Sequence, residues 1–133
     1  MDKLNFINNQ MDLLSVPYQF GEWTPETEDE ETPSEVKYPY FVGEINEEPT
    51  PTEDGAEEST LILTGWHRGS FIALEEIKKK IKKHFNPDYG LRDDTDSGSI
   101  AVFYEGAFPV PSGEADLKKI QINLKIKEWK GDL

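Results

Sequence analysis

The sequence predicts an α+β fold, an antiparallel sheet of about five strands with two helices packed on one face, in the order α-β-β-β-α-β-β. Three observations predict it. LKKIQINLKIKEW, from Leu117, places Ile120, Ile122, Leu124 and Ile126 on one face and Gln121, Asn123, Lys125 and Lys127 on the other, the alternation of a half-buried antiparallel strand. FIALEEIKKKIKKHF, from Phe71, repeats its apolar residues at helical spacing. The remaining apolar runs are short, rich in aromatic and β-branched residues, and separated by Gly, Pro and acidic stretches, as hairpin-connected strands are.

Taken in order, Leu4, Ile7, Met11 and Leu14 recur at three- and four-residue steps and predict a first helix that ends before Pro17. VPYQFGEW (16–23) reads as a strand, with Tyr18 and Phe20 on one face and Gly21 permitting a bulge or close approach. VKYPYFVGEI and STLILTGWHRG form the next pair, joined by an acidic connection too long for a tight turn. Ser70 is the expected N-cap of the second helix; Leu74, Ile77, Ile81 and Phe85 form its buried stripe, and Glu75–Lys79 and Glu76–Lys80 its i,i+4 pairs. Lys78, Lys79, Lys80, Lys82 and Lys83 lie toward the C-terminal end, where they complement the helix dipole, and Asn86 and Pro87 stop it. SIAVFYEGAF and LKKIQINLKIKEW close the sheet.

A chain of 133 residues, 35% hydrophobic and with Trp23, Trp66 and Trp129, suffices for one domain over 1–133. No apolar run approaches the ~20 residues of a membrane span, and MDKLNFINNQMDLL lacks the basic and apolar regions of an export signal. The expectation is therefore a protein without membrane contact. The absence of cysteine excludes disulfides and thiolate metal sites, and suits a reducing compartment.

The net charge of −13 is local. Residues 22–58 hold fourteen of the 27 acids and one base, Lys37; the thirteen acids and thirteen bases elsewhere cancel. The acids concentrate in TPETEDEETPSE and NEEPTPTEDGAEE, which lack apolar residues to bury and read as flexible loops at about 24–35 and 47–58. Glu28, Asp29, Glu30, Glu31, Glu47, Glu48, Glu53, Asp54, Glu57 and Glu58 are the candidate partner- or lumen-facing acids.

Little in the chain suggests catalysis. His67 and His84 are the only histidines, no nucleophile motif adjoins either, and GxSxG, GxGxxG, Walker, HExxH and paired CxxC signatures are absent. His84 reads as a cation or cap at a helix C-terminus and His67 as a strand-end residue. DDTDSGSIAVFYE (93–105) resembles a calcium loop in part, yet neither frame places both the glycine and the bidentate glutamate, and a polar turn loop is the simpler reading. No cofactor or metal is predicted. In WHRGS, Trp66 and Arg68 are either partner anchors or, respectively, a core-edge aromatic and a cation answering a nearby carboxylate.

The order of elements, the YPYFVGE strand before an acidic connection, LTGWHRGS leading into an amphipathic helix, and the two closing strands together resemble the small tail-terminator and tail-completion proteins of long-tailed phages and prophages. That resemblance covers most of the chain and rests on architecture and short segments; the 37-residue acidic region, 22–58, departs from it. It implies no enzymatic activity. It implies a structural subunit made in the host cytoplasm that forms a ring, commonly of six, in the virion tail, between tail tube and head connector. Acidic loops would suit a lumen that conducts DNA without holding it, since carboxylates repel phosphates, so tight nucleic-acid binding is not expected. Unlike patches on one molecule also suit head-to-tail contact, with Trp66, Arg68, Lys79, Lys80 and Lys83 as interface candidates. The alternative is an acidic mimic of DNA that occupies the basic groove of a DNA-binding enzyme. A third reading leaves the acids simply solvated.

Overall fold

The computed structural model describes residues 2–21, 39–47, 57–95 and 98–130. These form two helices, α1 (Asp2–Leu13) and α2 (Ile72–His84), and six strands: β1 (Tyr18–Phe20), β2 (Tyr40–Glu47), β3 (Glu57–Arg68), β4 (Leu91–Thr95), β5 (Gly98–Val110) and β6 (Leu117–Lys130). The α+β class is as expected; the sheet differs from the expectation. It has six strands in the order β1-β2-β3-β6-β5-β4, and it is mixed, because β1 pairs with β2 in parallel.

Alternation in the long strands fixes which face is covered. Leu61 and Leu63 of β3, and Ile120, Ile122, Leu124 and Ile126 of β6, are buried in one cluster with Phe6, Ile7 and Met11 of α1 and with Leu74, Ile77 and Ile81 of α2. Both helices therefore cover the same face. Gly65 belongs to it, because its cross-strand partner Phe41 lays its ring over the α-carbon. Tyr18 does the same to Gly43, and its hydroxyl is buried with no hydrogen-bond partner among the described residues; burial pushes that phenol up to about 12.

The first helix ends as its sequence demands. Ser15 adopts a left-handed φ of 57°, and the Val16 N–H returns to the Met11 carbonyl at 2.9 Å, a closure after which Pro17 cannot continue the helix. The start of α2 departs from the expected cap. Phe71, in helical geometry, precedes the first helical residue with no side-chain cap, and the Ser70 hydroxyl lies a long 3.4 Å from the Ile72 N–H. Asn86 terminates the helix through its side-chain oxygen, which accepts from the Asp88 and Tyr89 N–H groups at 2.7 and 3.0 Å.

The segment weighed as a calcium loop is instead the β4–β5 hairpin, with Asp93 opposite Ile100 and Asp94 opposite Ser99. Among the described residues no three metal-ligating side chains converge. Between Tyr104 and Gly106 the β5–β6 register shifts, and the Tyr104 N–H reaches the Phe85 carbonyl at 2.9 Å, tying the end of α2 to the sheet.

Candidate functional site

Among the described residues the helices cover one face of the sheet and no element covers the other, here called the open face, and the candidate residues divide between the two. On the helix side, Lys79, Lys80 and Lys83 are exposed on α2, with Lys82 beside them. Only some of this row is spoken for. Lys78 pairs with Glu75 at 2.5 Å, an i,i+3 contact in place of the expected Glu75–Lys79 pair. Lys80 donates to the Leu14 carbonyl at 3.1 Å, supplying the α1 C-terminus with a cation where the helix dipole favours one. Lys82 approaches the Tyr104 ring, 5.8 Å from its centre. His84 Nε2 lies 2.7 Å from Gln10 Oε1, a contact that a proton on Nε2 completes, and desolvation holds this imidazole below the usual histidine value. Lys80 and His84 thus join two antiparallel helices, and His84 serves as an interhelical bridge as well as a C-terminal residue.

At the strand ends below α2, Arg68 reaches Glu114 at 3.2 Å and Asp116 at 2.9 Å across the β5–β6 turn. Its cation answers neighbouring carboxylates, as one of the two readings of WHRGS held. Trp66 does not close the core edge. It stands on the open face, half-buried and stacked on Tyr40 with ring centres 4.9 Å apart, while Lys119 sits 5.6 Å from its ring centre. The two interface candidates of that motif and the lysines of α2 therefore occupy different surfaces.

The open face continues from this row. Val42, Thr64, Gln121 and exposed Phe108 are successive cross-strand neighbours, followed by Glu44, Ile62, Asn123 and Gly106. Farther along, Lys125 and Lys127 share Glu58 at 3.5 and 3.4 Å, and Arg92 lies over Phe103 and Trp129. Tyr40, Phe108 and Lys119 were not singled out from sequence. Strand parity gave the available signal: in LILTGW, Trp66 shares the face of Ile62 and Thr64, opposite Leu61 and Leu63.

The acidic candidates are resolved in part. Glu28, Asp29, Glu30, Glu31, Glu48, Glu53 and Asp54 lie outside the described residues, as does most of the two stretches read as loops. Glu47, Glu57 and Glu58 are strand residues of β2 and β3, a correction to the loop boundaries. Glu47 accepts from the Lys3 ammonium at 2.6 Å, and Glu128 lies 3.5 Å from the same group. Burial draws this 8%-exposed lysine down, but the two carboxylates outweigh that effect and hold it above its usual value. Lys3 was not anticipated, since its place in an otherwise polar N-terminal turn carries no pattern.

Among the described residues, these surfaces carry ion pairs, ring contacts and exposed lysines, and no acid, base and nucleophile converge on one of them. No helix of the described residues is long and apolar enough to cross a membrane. No family model and no curated protein matches the chain.

Proposed function

We propose that this chain is a structural, non-enzymatic subunit of a long-tailed phage or prophage particle, a tail-terminator or tail-completion protein forming a ring at the head–tail junction. One observation supports it above the others: the lysine row of α2 and the open aromatic face of the sheet lie on opposite sides of a single layer. A subunit with unlike surfaces on opposed sides is suited to heterologous contact, and such contact closes a ring when the rotation per subunit divides a full turn. The excess acids of residues 22–58 then serve either the neighbouring subunit's lysines or a lumen that must release DNA. The partners of this reading are further copies of the chain, the tail tube and the head connector. It places the protein in the host cytoplasm during assembly and in the virion tail afterwards.

The competing DNA mimic needs carboxylates held free in a phosphate-like array. Among the described residues Glu47 and Glu58 are instead neutralised by Lys3, Lys125 and Lys127, so the structural role is the better supported of the two.

The test is electron microscopy of purified protein mixed with tail tubes lacking their terminator. The proposal expects annular caps at tube ends and arrested tube growth. A protein that leaves tubes bare, stays monomeric beside them, and blocks a nuclease or restriction enzyme from its DNA is a mimic and not a tail component.

A further inference from the structure

We propose that α2 of one copy lies diagonally across the open face of the next, with its Glu76 at the neighbour's Lys119 and its Lys83 at the neighbour's Glu44. This contact presupposes the ring reading and supplies the residues that would make it.

The outer side of α2 carries one half of the match. Ile72, Glu76, Lys79 and Lys83 follow one another at four-, three- and four-residue steps, on the side of the helix turned away from buried Leu74, Ile77 and Ile81. All four are exposed, Ile72 to 66%, and among the described residues Glu76, Lys79 and Lys83 make no ion pair. The stripe therefore reads apolar, negative, positive, positive from the start of the helix.

The open face carries the other half in the same order. Val110 and Lys119 are cross-strand neighbours on β5 and β6, and Lys119 meets the Trp66 ring but no carboxylate among the described residues. Glu44, exposed on β2, is also without an ion pair there. It stands opposite Ile62, four residues along β3 from Trp66, so the face reads apolar, positive, negative along the diagonal from Val110 through Lys119 to Glu44.

The spacings agree. Lys119 and Glu44 are two strands and four residues apart, about 16 Å at the usual strand dimensions. Glu76 and Lys83 are seven helical residues apart, about 10 Å. Extended lysine and glutamate side chains close the difference. In this register Ile72 comes to Val110, and Lys79 crosses Thr64 with its stem toward Ile62 and its ammonium toward the Trp66 ring. Running the helix the other way would set Glu76 against Glu44 and Lys83 against Lys119. Two like-charge contacts exclude that direction, so charge fixes the polarity of the contact as well as its place.

The test is charge reversal with rescue, read by sedimentation velocity beside tail tubes, with circular dichroism as the folding control. Glu44→Lys and Lys83→Glu should each lose the assembled species, and the chain carrying both should regain it. Because the sequence has no cysteine, a second measurement is open. A chain carrying both Ile72→Cys and Val110→Cys, oxidised beside tail tubes, should give a ladder of disulfide-linked copies, whereas either single variant gives nothing larger than a dimer. Wild-type rings that Glu44→Lys leaves intact, or rings that show neither rescue nor a ladder, overturn this contact while the ring reading stands. A wild type that does not assemble overturns both. Should Glu44→Lys fail to fold, the presence or absence of the ladder decides.

Discussion

Single residues in the core carry the most decisive expectations. Ile122 and Leu124 are fully buried against the helices, so Ile122→Asp or Leu124→Asp places an unpaired charge in the core. The cost is several kcal/mol, set against the roughly 5–15 kcal/mol that holds a domain together, and far-ultraviolet circular dichroism should show an unfolded chain. Gln121→Ala, on the open face, should leave the spectrum and the melting temperature almost unchanged. Gly65 is a subtler case. Phe41 occupies the space that any Cβ would enter, so Gly65→Val should destabilise by about 1–3 kcal/mol, and Phe41→Leu in the same chain should restore part of the loss. Two charges give pH signatures of opposite sense. His84 titrates below its unfolded value, so it favours the folded state above about pH 6.5, the ordinary histidine value, and that contribution is lost as pH falls through the folded value. Denaturant midpoints should decline on acidification, less steeply in His84→Gln. Lys3 titrates above its unfolded value, so its contribution is complete throughout the neutral range and fades only as pH rises through the folded value.

Elements differ in how plainly their residues announce them. The last strand and the second helix were legible because strict alternation, or a stripe at three- and four-residue spacing, reports one buried face, and β6 and α2 have one each. β4 was not. LRDDT is polar and Asp-rich, a composition depleted in strands, and it is held by pairing with β5 and not by a buried run of its own. The parallel pairing of β1 was also hidden, because three residues carry no register information and a hairpin is the simpler expectation. The candidate surfaces were half legible: the lysines of α2 follow from the helix, whereas the Tyr40–Trp66–Lys119 row exists only once three strands are in register. That row joins residues 79 positions apart in the chain, from Tyr40 to Lys119. The contact between helices supplies a test at this scale. Lys80→Met should lower stability by about 0.5–1.5 kcal/mol through the lost bond to Leu14, whereas Lys79→Met, which has no such role, should not. Amide exchange in the last turn of α1 would show the same distinction.

At the scale of the whole molecule, one sheet separates a lysine-bearing helix layer from an open aromatic face, and the acids of residues 22–58 account for the net charge of −13. Assembly driven by unlike patches must be sensitive to both sign and salt, since exposed charges are screened beyond roughly 8–10 Å near physiological ionic strength. Lys79 and Lys83 are the residues to reverse, because Lys80 also secures α1. Sedimentation velocity of the wild type and of the Lys79→Glu, Lys83→Glu double variant, at low and high salt and with tail tubes present, is the most direct test of ring assembly. The account predicts a ring-sized wild-type species that dissociates as salt rises, and a folded variant that stays monomeric throughout. A wild type that remains monomeric beside tail tubes, or a variant that assembles as the wild type does, would contradict it.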